Sequence, residues 1–185
     1  MFHKTEEQFY AWLAGLLDGD GCFSIPLHLD QDGKSMHIGF SVTIGLKEKD
    51  SFVLEYIYNR LQIGHIYYSN KGTNVGKVTW QTTNTKDGIR VVELVLTYLV
   101  LKQSKALKFL EIAKWYESTK SRIYGKRDLN KKVRTNEEMK RVIKEAIGLN
   151  YDRQTIRYRN KKGLEYWYET IDRLYPNIEV ANREA

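Results

Sequence analysis

The first twenty residues carry a helical pattern of apolar positions. Large apolar side chains recur there at intervals of three and four residues, at Phe9, Trp12, Leu13, Leu16 and Leu17. This spacing places them on one face of a helix. Thr5 is a suitable N-cap, and the acidic residues Glu6 and Glu7 follow it in the first turn. The pattern therefore predicts a helix over residues 6–20.

Two alternating segments follow, with the period of two residues that is typical of half-buried strands. The apolar positions are Phe23, Ile25, Leu27 and Leu29 in residues 23–30, and Ile38, Phe40, Val42 and Ile44 in residues 37–44. Asp32-Gly33-Lys34 between the two segments is typical of a turn. Pro26 cannot donate to a strand ladder, so it indicates an edge position or a bulge.

The same two periods continue along the rest of the chain. Helical spacing returns over residues 50–61, which Gly64 would end, and two further strands are predicted over 65–70 and 77–83, joined by the loop 71–74. Four more helices are predicted over residues 86–101, 104–118, 136–149 and 164–174. Helices that separate antiparallel hairpins make this an α+β fold, with an αββαββα core followed by C-terminal helices.

Composition favours one domain with a sizeable core, because 42% of the 185 residues are hydrophobic. We expect residues 1–120 to form the core of this domain and residues 121–185 a basic, mainly helical extension of it. Cys22 is the single cysteine, and the four histidines lack the spacing of a zinc site. The longest apolar run, 91–101, is short and contains Glu93. We therefore expect a soluble intracellular protein of the cytoplasm or an organelle, neither secreted nor bound to a membrane.

Positive charge is concentrated in the second half of the chain. Residues 1–101 hold nine Lys and Arg against eleven Asp and Glu, whereas residues 102–185 hold 21 against 12. Two clusters stand out: Lys126, Arg127, Lys131, Lys132 and Arg134, and then Arg153, Arg157, Arg159, Lys161 and Lys162. Such clusters are typical of proteins that bind a phosphate backbone. A solvated helix face is the alternative interpretation, and charge alone does not decide between them.

The segment LAGLLDGDG, residues 13–21, ends the predicted first helix with two carboxylates. Asp20 would lie at the C-terminal end of the helix, where unpaired carbonyl groups carry partial negative charge. Carboxylate and carbonyl oxygens together suit a hard divalent cation such as Mg²⁺. An ordinary Asp-Gly turn is the other interpretation, and local chemistry leaves both open.

Small residues also form a stripe on this helix. Ala11, Gly15 and Gly19 are four residues apart, so they line one side of it. Without bulky side chains, such a stripe lets another backbone pack closely. Gly15 lies well inside the helix, where glycine costs about 1 kcal/mol relative to alanine. We therefore favour a packing role over a local turn.

LAGLLDGDG resembles the signature of the LAGLIDADG homing endonucleases. Seven of nine positions match, with Leu17 in place of isoleucine and Gly19 in place of alanine, and the predicted element order through residue 101 also agrees. One copy of the motif is present. Family members with one copy act as homodimers, so the resemblance implies a two-fold interface. That interface would contain Ala11, Gly15, Asp18 and Gly19.

The resemblance also implies a chemistry. Asp20 and its symmetry mate would bind Mg²⁺, with Mn²⁺ as a substitute, and the Gly19 carbonyl would be a further ligand. Lys102 would polarise the scissile phosphate, and Asp18 would serve helix packing or capping. The expected activity is cleavage of both strands of a long, pseudo-palindromic double-stranded DNA across the minor groove, leaving 3′ overhangs. An intron-encoded origin is also implied.

One position departs from the family pattern. After the Val-Thr of the second strand the family often has a polar residue, commonly glutamine, but this chain has Ile44, Gly45 and Leu46. Either the register differs and Lys47 or Lys49 serves instead, or the solvent network of the site is altered. The sequence leaves these alternatives open.

DNA would be read by the polar faces of the predicted strands. The candidate contacts are Ser24, His28, Asp30, His37, Ser41, Thr43, Lys47, His65, Tyr67, Ser69, Lys77, Thr79 and Gln81. A curved antiparallel sheet can lie along the major groove, where all four base pairs differ. Routine solvent-facing positions are the alternative interpretation.

Two other functions use the same fold. One is an intron maturase that binds intron RNA and assists splicing, and the other is a DNA-binding regulator without nuclease activity. Loss of the metal-binding carboxylate would favour the regulator, and Asp20 is present. A maturase can keep this residue, so the sequence does not exclude that function.

Overall fold

The structure, a computed structural model, describes residues 3–69, 76–120, 132–150 and 163–174. The helices are α1 (Glu6–Asp20), α2 (Ser51–Leu61), α3 (Thr85–Val95), α4 (Gln103–Ser118), α5 (Asn136–Asn150) and α6 (Leu164–Leu174). The strands are β1 (Gly21–Ser24), β2 (Leu27–Leu29), β3 (Met36–Ile38), β4 (Ser41–Lys47), β5 (His65–Ser69), β6 (Lys77–Gln81), β7 (Thr119–Lys120) and β8 (Lys132–Val133). The predicted loop 71–74 and most of both basic clusters lie outside the described residues.

Helix α1 begins and ends where the sequence predicts. Thr5 accepts a hydrogen bond from the backbone of Gln8, and the Gln8 side chain accepts from the Thr5 backbone, which completes a capping box. Phe9, Leu13 and Leu17 on the apolar face are fully buried. The helix is therefore held at its start by the cap and along its length by the core.

A four-stranded antiparallel sheet in the order β1-β4-β6-β5 lies against the helices. Its covered face carries Phe23, Val42, Ile44, Val78 and Trp80, all fully buried. The Trp80 indole N–H donates to the Ile63 carbonyl at 2.9 Å, so this large ring is buried without an unpaired donor. Helices with an antiparallel sheet confirm the predicted α+β class.

Both predicted long strands are broken in the middle, and to that extent the prediction is wrong. β1 ends before Pro26, and the chain resumes pairing only in β2. The Gly39 N–H donates to the Pro26 carbonyl at 2.9 Å, so the two segments are interrupted at the same level and stay joined there. β2 and β3 consequently form a separate two-stranded sheet. The predicted turn between them is present, with Gly33 at φ 67°.

The helix predicted over residues 86–101 is also too long. α3 ends at Val95, a 3₁₀ turn covers Leu96–Tyr98, and α4 begins at Gln103. No proline or glycine marks this ending in the sequence. The cause is tertiary, because the backbone N–H groups at 100–102 are bound by a distant carboxylate described below.

α5 and α6 match the predicted C-terminal helices and pack on the same core. Met139, Val142, Ile143 and Ala146 of α5 belong to the hydrophobic cluster that includes α1 and the sheet. Lys140 of α5 pairs with Asp172 of α6 at 2.7 Å. Trp167 is only 7% exposed, so its ring packs against the same core. The domain division at residue 120 stays a prediction, and no helix in the described ranges is long and apolar enough to cross a membrane.

Candidate functional site

Asp20 is the last residue of α1 and its side chain is exposed. The chain turns directly from it into β1 at Gly21. A Cβ atom on Gly21 would lie 2.6 Å from the Leu17 Cα and 2.7 Å from the Leu17 carbonyl oxygen, so any larger residue would force the turn open. Within the described residues the Asp20 carboxylate has no side-chain partner. The motif thus presents a carboxylate at the edge of the sheet.

Asp18 binds the start of α4. Its carboxylate accepts from the backbone N–H groups of Val100 at 2.7 Å, Leu101 at 3.2 Å and Lys102 at 2.8 Å. Burial raises the pKa of Asp18, but the three backbone donors and the Lys102 ammonium outweigh it and lower the pKa overall. The capping role expected for Asp18 is thus seen within one protomer, and its contact with a second copy stays a prediction.

Lys102 binds the end of α1 in return. Its ammonium donates to the carbonyls of Leu17 at 2.9 Å, Gly19 at 3.3 Å and Gly21 at 2.7 Å. A cation at this position favourably offsets the partial negative charge of the helix terminus. The structure therefore brings Lys102 to the same turn as Asp20, and its catalytic role stays a prediction.

A cleft of about 530 Å³ opens beside Asp20. It is lined by Asp20, Gly45, Leu46, Lys47, Lys49, Asp50, Gly76 and Lys77. Its side walls therefore carry three lysines and two carboxylates, a balance suited to an anionic ligand. Within the parts of the chain that the structure describes, no group of three or more His, Cys, Asp or Glu could hold a metal.

The strand register assembles most of the predicted polar positions on the exposed sheet face. Opposite pairs across the ladders are Thr43 with Gln81, Lys47 with Lys77, His65 with Gln81, Tyr67 with Thr79, and Ser69 with Lys77. Because directly paired residues share a face, these side chains form one surface that begins at the cleft. Whether they contact DNA stays a prediction.

Ser41 is a correction to this set. It is paired with Ser24 on the same ladder but is only 5% exposed, and its hydroxyl finds no partner among the described residues. The Thr82 hydroxyl accepts from the Val42 backbone at 3.0 Å, so the segment after β6 runs beside this end of β4. Alternation alone could not reveal that a later segment lies there.

Ser24 lies at the end of β1, and the other predicted contacts lie on or directly after the strands of the separate β2–β3 sheet. His28 and His37 are directly opposite each other and exposed. The His37 Nε2 atom lies 2.8 Å from an Asp30 carboxylate oxygen. A hydrogen bond from Ser35 and the neighbouring His37 lower the pKa of Asp30. This second polar surface is therefore internally hydrogen-bonded.

The small-residue stripe of α1 faces solvent in the protomer. Ala11, Gly15 and Gly19 are exposed, and a Cβ atom on either glycine would meet no described atom within 4 Å. Nothing inside the described protomer therefore requires glycine at position 15. A second copy packed on this stripe would explain the loss of helix stability, and that interface stays a prediction.

Sequence reasoning missed two residues of this region. Cys22 is exposed and paired with Thr43, so it shares the polar sheet face. Starting the strand at Gly21 rather than at Phe23 would have included it. Asp50 lines the cleft from the N-terminal end of α2, and no pattern in the sequence linked it to Asp20.

Comparison with known proteins agrees with this geometry. Residues 13–116 match the LAGLIDADG endonuclease family, a span that begins within α1, contains the whole four-stranded sheet and ends in the last turn of α4. The chain belongs to this family. Its fold is that of homing endonucleases, as the resemblance of LAGLLDGDG implied.

Individual relatives support the assignment. The DNA endonuclease I-CvuI of Chlorella vulgaris is 31% identical over 116 residues, which cover 60% of this chain and 67% of that protein. The crystal structure of I-CvuI in complex with its target has a TM-score of 0.71 at 20% identity, covering 91% of this chain and 96% of that one. The archaeal intron-encoded homing endonuclease I-Vdi141I, complexed with DNA, has a TM-score of 0.69 at 19% identity over 92% and 98%.

Asp18→Ala is expected to lower the free energy of unfolding by about 2 kcal/mol at neutral pH, because three backbone donors lose their acceptor. Since the folded state lowers the Asp18 pKa, this stabilisation is present above about pH 4 and is lost as the pH falls through the lower folded-state value. Urea unfolding at pH 7 and pH 3 measures both effects. Asp50→Ala is the matched control, because Asp50 precedes α2 without a side-chain cap bond. Equal losses for both variants at pH 7 would contradict the assignment.

Proposed function

We propose that this chain is a homodimeric homing endonuclease that hydrolyses both strands of a long, roughly palindromic double-stranded DNA. The position of Asp20 carries the proposal. It is an exposed carboxylate at the junction of the small-residue stripe of α1 and the polar face of the sheet. A group at that junction is suited to meet its symmetry mate on one side and DNA on the other.

The described residues of one protomer do not complete a metal site, and this supports the proposed dimer. A single protomer offers Asp20 but, within its described residues, no metal-binding group of three. A second copy that packs along the stripe would bring a second Asp20 to the first. Val100 and Leu101, which Asp18 holds beside the end of α1, are 81% and 77% exposed. Large exposed apolar side chains next to the stripe also favour a covered surface there.

The donor set fits Mg²⁺. The Asp20 carboxylate and the Gly19 carbonyl are hard oxygen donors, and Mn²⁺ accepts the same ligands. A bound divalent ion would supply Lewis-acid activation of water and stabilisation of the leaving oxygen. Gly19 is the acceptor that Lys102 holds at the longest distance, 3.3 Å, so this carbonyl is the one most easily exchanged. The Lys102 ammonium would then donate the N–H that had bound the Gly19 carbonyl to a phosphate oxygen instead.

Recognition would use the sheet. Its polar face lies in the major groove of each half-site, and the two Asp20 carboxylates meet the DNA where the minor groove faces the protein. Cleavage of both strands across that groove leaves 3′ overhangs. Lysines on the sheet and the basic residues of the C-terminal third bind backbone phosphates, so affinity falls steeply with salt. We also propose an intron-encoded origin, on the likeness to I-Vdi141I.

The test is a cleavage selection. A plasmid library of partly randomised palindromic sites, together with intron-lacking alleles of candidate host genes, is incubated with the purified protein and Mg²⁺. Linearised molecules are then sequenced at their ends. The proposal expects recurrent cleavage of one long site with 3′ overhangs. Specific DNA binding without cleavage would instead indicate a regulator, and binding of a structured intron RNA without cleavage would indicate a maturase.

A further inference from the structure

Gly45 leaves a space that the Lys77 side chain occupies. Gly45 lies on the exposed side of β4, paired with Thr79 of β6. A Cβ atom at position 45 would lie 2.8 Å from Cε and 3.2 Å from Nζ of Lys77. Real Cβ atoms do not tolerate the shorter of these contacts, so the observed Lys77 conformation requires the absence of a side chain at position 45.

Electrostatics explains why Lys77 extends toward Gly45. Lys77 is directly opposite Lys47 across the ladder, and like charges in such a pair repel each other. Within the described ranges no carboxylate lies within ion-pair distance of Lys77. Its ammonium lies at the level of Gly45, away from straight alignment with Lys47, a position that like-charge repulsion favours. An anion bound between these lysines would remove the repulsion.

The cleft could hold a phosphodiester that the Lys77 ammonium would contact. Lys77, Gly45 and Asp20 all line the same cleft. A carboxylate suited to a metal and an unpaired ammonium in one cleft match the two needs of a phosphodiester under attack, which are a metal at one oxygen and a positive charge at another. A surface lysine that only binds a backbone phosphate does not need a glycine at the neighbouring position.

We propose that Lys77, admitted by Gly45, contacts a non-bridging oxygen of the scissile phosphate and stabilises the negative charge that develops there. The proposal rests on the proposed nuclease function. During hydrolysis the oxygen of water bonds to phosphorus, the bond from phosphorus to the leaving oxygen breaks, and that oxygen gains a proton from solvent in exchange for the proton that water releases. The ammonium keeps its own protons throughout. The family often has a polar residue in this strand, where this chain has Ile44, Gly45 and Leu46. Lys77 would supply a polar group from the neighbouring strand instead.

The experiment is a double-mutant cycle on Lys77→Met and Gly45→Ala. The readout is the single-turnover cleavage rate at saturating enzyme on the selected target. Lys77→Met is expected to lower this rate about 10²-fold, as loss of one transition-state donor does. Gly45→Ala is expected to lower it about tenfold in the wild-type background, because its Cβ displaces the ammonium. In the Lys77→Met background the same alanine should have no further effect.

Two further variants separate chemistry from folding. Lys77→Arg keeps the charge and should restore part of the lost rate. Lys114→Met, on α4 beside Glu93 of α3, removes another exposed lysine, from the helical side, and should leave the rate unchanged. The urea midpoints of Lys77→Met and Gly45→Ala should equal or exceed the wild-type value. Lys77→Met relieves like-charge repulsion with Lys47, and Gly45→Ala replaces a glycine that weakens a strand.

The outcomes distinguish the two proposals. If the wild-type protein cleaves its target but Lys77→Met cleaves at the wild-type rate, or if the two substitutions act additively, the role of Lys77 is wrong and the nuclease function stands. If Lys77→Met raises the Kd for the target with no loss of rate at saturation, Lys77 only binds DNA. A wild-type protein that cleaves no target overturns both proposals.

Discussion

Asp20→Asn is expected to lower the rate of DNA cleavage by at least about 10²-fold while the protein still binds its target. Asparagine keeps the size of the side chain but loses the negative charge that holds a divalent cation. A metal contributes several kcal/mol to such a transition state, and about 1.4 kcal/mol corresponds to a tenfold change in rate. Since a negative charge that faces phosphates is removed, affinity for DNA in the absence of metal should stay equal or rise.

Single-turnover cleavage with Mg²⁺ and filter binding without it measure these two quantities. Asp50→Asn is the matched control. It removes a carboxylate from the same cleft, but Asp50 lies at the start of α2 whereas Asp20 lies at the end of α1. It should cleave within a few-fold of the wild-type rate. Near-normal turnover by Asp20→Asn would remove this residue from the mechanism, and an equal loss in both variants would indicate a general effect of cleft charge.

Gly15→Leu is expected to raise the dissociation constant of the homodimer by at least about tenfold, because an overpacked contact costs roughly 1–3 kcal/mol. Within the protomer the change should have the opposite sign. Position 15 is open to solvent, so leucine fits there, and it is a better helix former than glycine by nearly 1 kcal/mol. A more stable protomer that associates less is a signature that damage to the fold would not give.

Sedimentation over a range of protein concentrations measures the association. Gly148→Leu is the control, because Gly148 is also an exposed helical glycine with no described atom within 4 Å of a Cβ. It lies in α5, away from the stripe, and should leave the dimer unchanged. An unaltered dimer in Gly15→Leu would refute the stripe as the interface.

Local patterns predicted α1, the α+β class and the shared sheet face because each depends on residues close in sequence. The capping box at Thr5 and the apolar spacing fix α1 before any tertiary contact forms. Alternation along β4 and β6 fixes which side chains share a face once the register is set.

The departures at α3 and Ser41, and the position of Lys77, depend on contacts between distant segments. α3 ends at Val95 because Asp18, far away in the sequence, binds the N–H groups that a longer helix would have used. Ser41 is buried because a segment beyond β6 runs beside it. The cation at Gly45 comes from another strand. Periodicity within one segment carries no information about such neighbours.

The exchange between Asp18 and Lys102 has an evolutionary consequence. Each of the two residues neutralises the terminus of the helix to which the other belongs, and each lies within the field of the other's charge. Replacement of one alone would leave the charge of the other uncompensated and one helix terminus without its partner. Among descendants of this chain the two positions should therefore covary, and a lineage that loses one should soon lose the other.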